Sequence, residues 1–498
     1  MVNLALDNNE KGIKTVSSIL ILSIVVIVGT IVELTNFCTE EVKLAVLMVV
    51  WLYAVVLGLI RIRERFAYLV FVCLLYVFLL SRPSLAIIYN IDWKYWKEGT
   101  VDTAFAIIFV SIVALIIATK CKPFFCSKKR ISSTASIKNE KSRMLHICTF
   151  LLLIVSSVAY YYVQIGTYFL QRNSDYALLY LQHADSAPYV IRAIASFFPV
   201  VVALELALMP NKKETIVVLL LYLFSGVPLF LLGNRTALIL PAVFCVVYYQ
   251  LRAQLEEERV WISKKMIVAF FAIMMVAVFV LGAMNYTRDD KNVSDEIKMP
   301  LMMDFIYRQG TTFDTVCQGI EYKDVIESLP GDPVYSTSEI VDNIKYGRIG
   351  RFVNDNESIP SGNNIQVVYK KSSLAHRLSY VVYGPYYLLG NGRGSSFVLE
   401  NYMDWGLPGV FIVSFLVGLF LLTLSTILKK HGIIIRMITV SCLMNLFIIP
   451  RAESSVFLSF LCNPYYWIVV IIAIIVIFAT DISTDIMANK LELKGQHE

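Results

Sequence analysis

Long apolar stretches recur along most of the chain, and short polar connections separate them. A helix needs about 20 mostly apolar residues to cross a bilayer, so stretches near that length are candidate membrane spans. We predict twelve spans, at about 16–34, 44–60, 66–80, 101–119, 145–163, 189–208, 215–232, 236–250, 266–284, 407–428, 437–449 and 464–480. No small-residue cleavage site follows the first stretch, so we expect an uncleaved first helix.

One long polar segment, residues 285–406, interrupts this pattern. Lipid-exposed irregular backbone would leave its polar groups unpaired, so the segment must lie outside the hydrocarbon or be sheltered by helices. We expect three parts: a transmembrane bundle over 1–284, a large and partly helical loop over 285–406, and a second transmembrane bundle with a tail over 407–498. The predicted fold class is an all-α polytopic integral membrane protein with about twelve transmembrane helices.

Composition and charge support this fold class and add an orientation. Of the 498 residues, 57% are hydrophobic and 16% are charged, whereas soluble domains carry about 25% charged residues. One set of short loops, counted with the two ends of the chain, holds 24 of the 44 Lys and Arg residues. Basic residues of short loops are retained in the cytoplasm. Both termini are therefore predicted to be cytoplasmic, and residues 285–406 are predicted to face outward.

The nine cysteines lie mostly in or beside apolar stretches, and Cys317 is the only one in the large loop. This distribution argues against an outer domain stapled by disulfides. Cys121 and Cys126 are not joined by a second ligand pair, which argues against a zinc site. We expect no metal, no cofactor and no nucleic-acid partner.

Several arginines are expected at or near the outer membrane boundary, and a guanidinium group keeps its charge and presents a planar fork that suits phosphate. These residues are Arg235, Arg288, Arg377, Arg393 and Arg451. Together they predict a site where charge-assisted hydrogen bonds hold a pyrophosphate headgroup. Simpler interpretations remain: Arg235 as an interfacial side chain that reaches water, and Arg451 as the ion-pair partner of Glu453.

Two of these arginines lie in distinctive local sequences. Arg288 precedes Asp289 and Asp290, an acidic pair suited to a metal or to a base, or simply a solvated helix end. Arg393 lies in GNGRGSS, residues 390–396, which can form either a backbone nest for an anion or an ordinary loop. No GK[ST] follows the glycines, so the segment is not a P-loop.

His376 is the candidate general base, since histidine titrates nearest neutrality. Arg377, Glu400 and Asp404 complete the predicted catalytic group, and the two acids share a face if their stretch is helical. Tyr383 represents the tyrosines of this stretch, whose ring faces can pack on sugars. The alternative is that His376 is an ordinary surface residue and that the acids only orient an arginine.

At the level of motifs the chain resembles bacterial O-antigen polymerases of the Wzy type. The residues that carry the resemblance are GNRTALILP (233–241), FIYRQGTTFD (305–314), GNGRGSSFVLENYMDWGLPGV (390–410) and IPRAE (449–453). The number of spans and the one large outward loop are similar as well. The motifs cover about a tenth of the chain, whereas the likeness of architecture covers most of it.

The resemblance implies a fold like that of C-type membrane glycosyltransferases, in the bacterial inner membrane with the large loop in the periplasm. The implied substrate is an oligosaccharide repeat unit on undecaprenyl pyrophosphate, which is embedded in membrane lipid. The implied reaction needs no metal. A protein that regulates chain length is an implied partner. Arg235, Arg393 and Arg451 match positions that bind the pyrophosphate leaving group, and His376 is the counterpart of a loop histidine in related ligases.

Three other functions remain open from the sequence. A flippase for lipid-linked units also has about twelve spans, but repeat symmetry and short loops would be expected of it. A glycosyltransferase that uses sugar phospholipids would carry acids in its first outward loop, where Glu40 and Glu41 lie. An O-antigen ligase would move the glycan onto lipid A core instead of onto another repeat unit.

Overall fold

The computed structural model describes residues 29, 39–93, 95–125, 138–172, 187–256, 261, 299–347, 350–351, 359–360 and 362–495. Every secondary-structure element in these ranges is helical. The predicted spans at 16–34 and 266–284 lie outside the described residues, with the exception of Gly29. Arg288 also lies outside them.

Among the described residues before the large loop, seven helices are long and apolar enough to cross a membrane. They are α1 (Glu40–Ile60), α2 (Ile62–Ile88), α3 (Thr100–Phe125), α4 (Lys138–Gln171), α5 (Tyr189–Ala207), α6 (Lys212–Leu231) and α7 (Thr236–Leu255). Each coincides with a predicted span, which confirms the polytopic helical membrane character. The start of α6 shows how the sequence sets a boundary: Asn211 and Glu214 form a capping box that pairs two otherwise unpaired backbone N–H groups.

In the described part of the predicted loop, six short α-helices have defined bounds. They are α8 (Leu301–Gln309), α9 (Thr311–Glu321), α10 (Lys323–Glu327), α11 (Ser338–Tyr346), α12 (Ile365–Lys370) and α13 (Leu374–Tyr383). The helices α8, α9, α11 and α13 are amphipathic, as expected of elements that bury one face and leave the other in water.

The last part of the chain departs from the predicted boundaries. Helix α14 (Phe397–Lys430) begins ten residues before the predicted span and bends at Gly406, whose φ of +62° suits a residue without Cβ. Helix α15 (Ile433–Leu446) has only 14 residues. The predicted span at 464–480 is part of a bent pair, Val456–Cys462 and Pro464–Ala479, which meet at 65°. Pro464 has no N–H with which to continue the preceding helical turn.

The core of the bundle is the contact between α3 and α14. The hydroxyl of Ser414 donates to that of Ser111 at 2.9 Å. One turn further along α14, a Cβ on Gly418 would lie 2.8 Å from the Ala118 Cβ. Small residues of this kind let helix backbones approach closely in a membrane, where dispersion contacts hold helices together. Helix α14 is thereby fixed against the bundle, and its first turns carry the site described next.

Candidate functional site

The junction between α8 and α9 lies against the end of α2. The Ser81 hydroxyl is 3.1 Å from the Ile306 carbonyl oxygen. A Cβ on Gly310, between α8 and α9, would lie 2.7 Å from the backbone nitrogen of Arg82. Only glycine allows this approach, so the RQGTT sequence brings the junction onto Arg82.

Arg82 is held between both helices of this junction. Its Nε lies 2.8 Å from the Asp314 carboxylate, and the two side chains are 19% and 7% exposed. The guanidinium carbon is 4.7 Å from the centre of the Tyr307 ring, in cation–π geometry. Burial raises the pKa of Asp314, while the positive charges of Arg82 and Arg393 oppose that shift. Asp314 is thus a partly buried acid that faces two arginines.

Arg451 approaches the same junction from the turn after α15. Its Nη1 donates to the Gln309 side-chain oxygen at 2.6 Å, and its guanidinium carbon lies 5.8 Å from the Phe78 ring centre. Gln309 is the last residue of α8 and is 9% exposed. Arg451 therefore reaches the junction through a neutral amide.

Arg393 is positioned mainly through its backbone. Its N–H donates to the Ser379 hydroxyl at 2.7 Å, and its guanidinium carbon lies 5.5 Å from the Tyr383 ring centre. It forms no ion pair with any residue that the structure describes, and its buried Nε finds no hydrogen-bond partner among them. A buried donor without a partner is rare and calls for an explanation, such as a ligand.

Glu400 ties the loops of Arg393 and Arg451 together. Its carboxylate accepts a hydrogen bond from the Ser395 hydroxyl at 2.7 Å and another from the Ser454 backbone N–H at 2.7 Å. The neighbouring Asn401 amide donates to the Ser454 hydroxyl at 2.9 Å. Glu400 and Asn401 are both fully buried on the first turn of α14. The start of this helix is therefore a clamp that holds one residue from each loop.

The loops of Arg393 and Arg451 also contact each other directly. A Cβ on Gly394 would lie 3.4 Å from the Arg451 carbonyl oxygen. We call Arg82, Arg393 and Arg451, which surround the α8–α9 junction, the arginine cluster. Asp314 is a carboxylate of this cluster, in direct contact with Arg82 and under the influence of the Arg393 charge.

Two of the predicted catalytic residues, Arg377 and Asp404, make contacts within the loop. Arg377 is 2% exposed, and its Nη2 donates to the Pro330 carbonyl oxygen at 2.6 Å. The Asp404 carboxylate accepts from the backbone N–H groups of Tyr335 and Ser336 at 3.0 and 2.8 Å. Both side chains fasten the 330–336 segment, and neither belongs to the arginine cluster.

Arg235 lies on the turn between α6 and α7, where it is the residue that precedes α7. It is not one of the residues that the contacts above join to the cluster. The turn is tight because Gly233 has a φ of +92° and a Cβ on Gly226 would lie 1.8 Å from the Ala237 carbonyl oxygen. The GNRTALILP motif thus has a structural explanation in its close α6–α7 contact.

His376 lies one helical turn before Ser379 on α13, and its Nδ1 is 2.8 Å from the Tyr387 hydroxyl. Burial is the main cause that lowers its pKa to about 4, and the nearby positive charge of Lys371 adds to the shift. The imidazole is therefore neutral at pH 7. His376, Ser379 and Tyr383 are three and four residues apart, a spacing that places them on one face of α13.

Sequence reasoning missed Arg82, Asp314 and the clamp partner Ser454. A charged residue at the end of an apolar stretch was the available signal for Arg82, since charge at membrane depth is costly. Asp314 and Ser454 lie in or next to motifs quoted above, but their partners are remote in sequence. Within the described residues, no group of three or more His, Cys, Asp or Glu side chains is arranged to hold a metal.

Comparison with known proteins gives one match. The family model described as O-antigen polysaccharide polymerase Wzy matches residues 13–482, nearly the whole chain. No curated protein matches the chain. No solved structure matches it either.

Proposed function

Because the chain belongs to the O-antigen polysaccharide polymerase family Wzy, we propose that it joins repeat units carried on undecaprenyl pyrophosphate into a polysaccharide. The reaction takes place at the periplasmic face of the bacterial inner membrane. The growing chain leaves its carrier and is transferred to the non-reducing end of a new lipid-linked unit. In this arrangement residues 1–284 and 407–498 form the membrane bundle, and 285–406 form the periplasmic loop over the site.

The observation that carries the proposal is the arginine cluster itself, in which the buried Nε of Arg393 has no hydrogen-bond partner among the described residues. In the reaction, an acceptor hydroxyl oxygen bonds to the anomeric carbon of the donor sugar. The bond from that carbon to the pyrophosphate oxygen breaks, and its electron pair leaves with the phosphate. Arg393 and Arg451 bind this developing negative charge, and fixed positive groups stabilise such a transition state more than the ground state.

We assign the other predicted residues according to their contacts. Glu400 is a positioning residue, because its carboxylate is occupied by the loops that carry the two arginines. Tyr383 orients Arg393 through its ring and offers a face to a sugar. Arg377 and Asp404 keep the loop folded. Arg235 is proposed to meet lipid phosphate at the headgroup level, and His376 to present a neutral imidazole near the acceptor.

The test uses a strain that lacks its own copy of the gene and carries plasmid-borne variants. Arg393→Ala and Arg451→Ala should each remove the ladder of long lipopolysaccharide chains and leave single-unit glycans. Arg172→Ala is the matched control, since Arg172 is exposed and its guanidinium group lies over the Phe169 ring, outside the arginine cluster. Long chains from either cluster variant, at wild-type protein levels, would contradict the assignment. Complete loss of surface glycan would indicate a flippase instead.

A further inference from the structure

A short 3₁₀-helix, residues 384–389, follows α13 and presents apolar side chains outward. We call these residues the apolar turn. A 3₁₀-helix has three residues per turn, so residues three apart share a face. Tyr387 lies on the inner face and is fully buried. The outward side chains of Tyr386, Leu388 and Leu389 are 66%, 40% and 60% exposed, and none of the roles assigned above uses them.

The apolar turn is held in this orientation at both ends. The side-chain amide of Asn363 donates to the carbonyl oxygens of Tyr387 and Asn391, each at 2.9 Å. The turn begins at Gly384 and is followed by Gly390, with φ of +53° and +94°, a backbone conformation that other residues rarely adopt. The exposed side chains therefore cannot rotate inward as a group without breaking these hydrogen bonds.

Helix α13 holds the apolar turn beside the loop of Arg393. The Tyr387 hydroxyl is 2.8 Å from His376 Nδ1, and the Arg393 N–H donates to the Ser379 hydroxyl at 2.7 Å. His376 and Ser379 are three residues apart on α13, which is about 4.5 Å along the helix axis. The two anchoring points are thus neighbours, and three residues separate Leu389 from Arg393 along the chain.

We propose that the apolar turn binds the isoprenyl chain of the lipid carrier next to its pyrophosphate. The inference rests on the proposed function, in which Arg393 binds that pyrophosphate. A prenyl pyrophosphate joins an anionic group directly to an apolar chain, so its site needs a fixed cation and apolar surface side by side. Arg393 and the exposed side chains of Leu388 and Leu389 provide this combination. Exposed apolar patches commonly mark ligand or membrane contacts, and burial against the isoprenyl chain would stabilise the complex.

The experiment measures the affinity of the full-length protein, in nanodiscs of one lipid composition, for inorganic, geranyl and farnesyl pyrophosphate. In the wild type, affinity should increase with the length of the isoprenyl chain. The double variant Leu388→Ser with Leu389→Ser should bind farnesyl pyrophosphate about tenfold more weakly, because the lost apolar contacts are partly exposed in the free protein. Its affinity for inorganic pyrophosphate should equal that of the wild type.

The matched control is the double variant Val325→Ser with Ile344→Ser. These side chains are 49% and 55% exposed in the same loop but lie on α10 and α11, so the control should bind all three probes as the wild type does. The single variants Leu388→Ala and Leu389→Ala replace the first double variant if it also loses affinity for inorganic pyrophosphate.

Two results would overturn the proposal. One is an unchanged dependence of affinity on chain length in the leucine variants, which would mean that ordinary bilayer lipid covers the apolar turn. The other is an equal loss of affinity for all three probes in the single variants, which would mean that the leucines only support the loop of Arg393. A wild-type protein that binds neither inorganic nor isoprenyl pyrophosphate would instead overturn the proposed function itself.

Discussion

Replacement of Glu400 separates a positioning role from a chemical one. The Glu400 carboxylate accepts from Ser395 Oγ and from the Ser454 backbone N–H, each at 2.7 Å, and all three residues are buried. Glu400→Leu keeps most of the volume but removes both acceptors. Glu400→Gln keeps an oxygen for the Ser454 N–H, and its amide group can donate to Ser395, whose hydroxyl can turn to accept.

The size of the effect of Glu400→Leu is set by the Ser454 backbone N–H, which cannot rotate toward another acceptor. The Ser395 hydroxyl can rotate to another acceptor, but in Glu400→Leu the Ser454 N–H is left buried without a partner. A buried unsatisfied group costs about 1 to 3 kcal/mol. If the arrangement in which both loops are clamped is destabilised by this free energy, its population falls roughly 5- to 150-fold. Glu400→Gln should stay within about threefold of wild type.

The assay is extension of lipid-linked repeat units by purified variants, with the amount of folded protein set equal beforehand. Affinity for a short isoprenyl pyrophosphate is measured in parallel. Glu400→Leu should lose affinity for the pyrophosphate and rate together, because the clamp holds the loops of Arg393 and Arg451. An inactive Glu400→Gln with normal affinity would refute this reasoning, since it would mean that the ionisable carboxyl group of Glu400 takes part in the chemistry.

Further predictions concern Arg82, His376 and Arg377. Arg82→Ala should abolish extension and lower the melting temperature, because it leaves Asp314 buried and unpaired; adding Asp314→Asn should restore the melting temperature but not extension, and recovery of both would contradict a role in substrate binding. The pKa of His376 is lowered to about 4, against 6.5 for the free side chain. The free energy of unfolding should therefore decrease as the pH is lowered from about 6.5 to about 4, because the unfolded state binds the proton first. This contributes at most about 3 kcal/mol; melting at pH 7 and pH 5 should therefore differ less for His376→Gln, and an equal difference would contradict it. Arg377→Met should lower stability by about 1 to 3 kcal/mol through loss of its bond to the Pro330 carbonyl, while the remaining folded protein extends chains normally; a stable but inactive variant would show that Arg377 meets substrate.

The helices were largely predictable, and the errors have a physical cause. The length of an apolar stretch indicates which residues can cross the lipid, so α1 to α7 lie close to their predicted positions. It does not report where a helix starts, and α14 begins in the polar sequence FVLENYMDWG before the apolar stretch. The same limit applies to α15, whose 14 residues are apolar but short. Its C-terminal end continues as the turn that carries Arg451.

The candidate site was predictable only in part. Arg393 and Arg451 were predicted because their motifs resemble a known family, and the structure brings their loops together through Glu400; their role in binding stays a prediction. Position near the membrane boundary could not separate Arg393 from Arg377. The difference arises because Arg377 is buried against Pro330, whereas Arg393 extends from a glycine-rich loop. Arg82 was missed because its partner, Asp314, lies on a helix far away in sequence.

The central claim is that Arg393 and Arg451 bind the pyrophosphate of the lipid carrier. The most direct measurement is an experimental structure of the protein with a bound isoprenyl pyrophosphate. We expect the diphosphate beside the α8–α9 junction, with its oxygens within hydrogen-bonding distance of both guanidinium groups. A diphosphate bound at Arg235, or anywhere that neither Arg393 nor Arg451 reaches, would contradict the account.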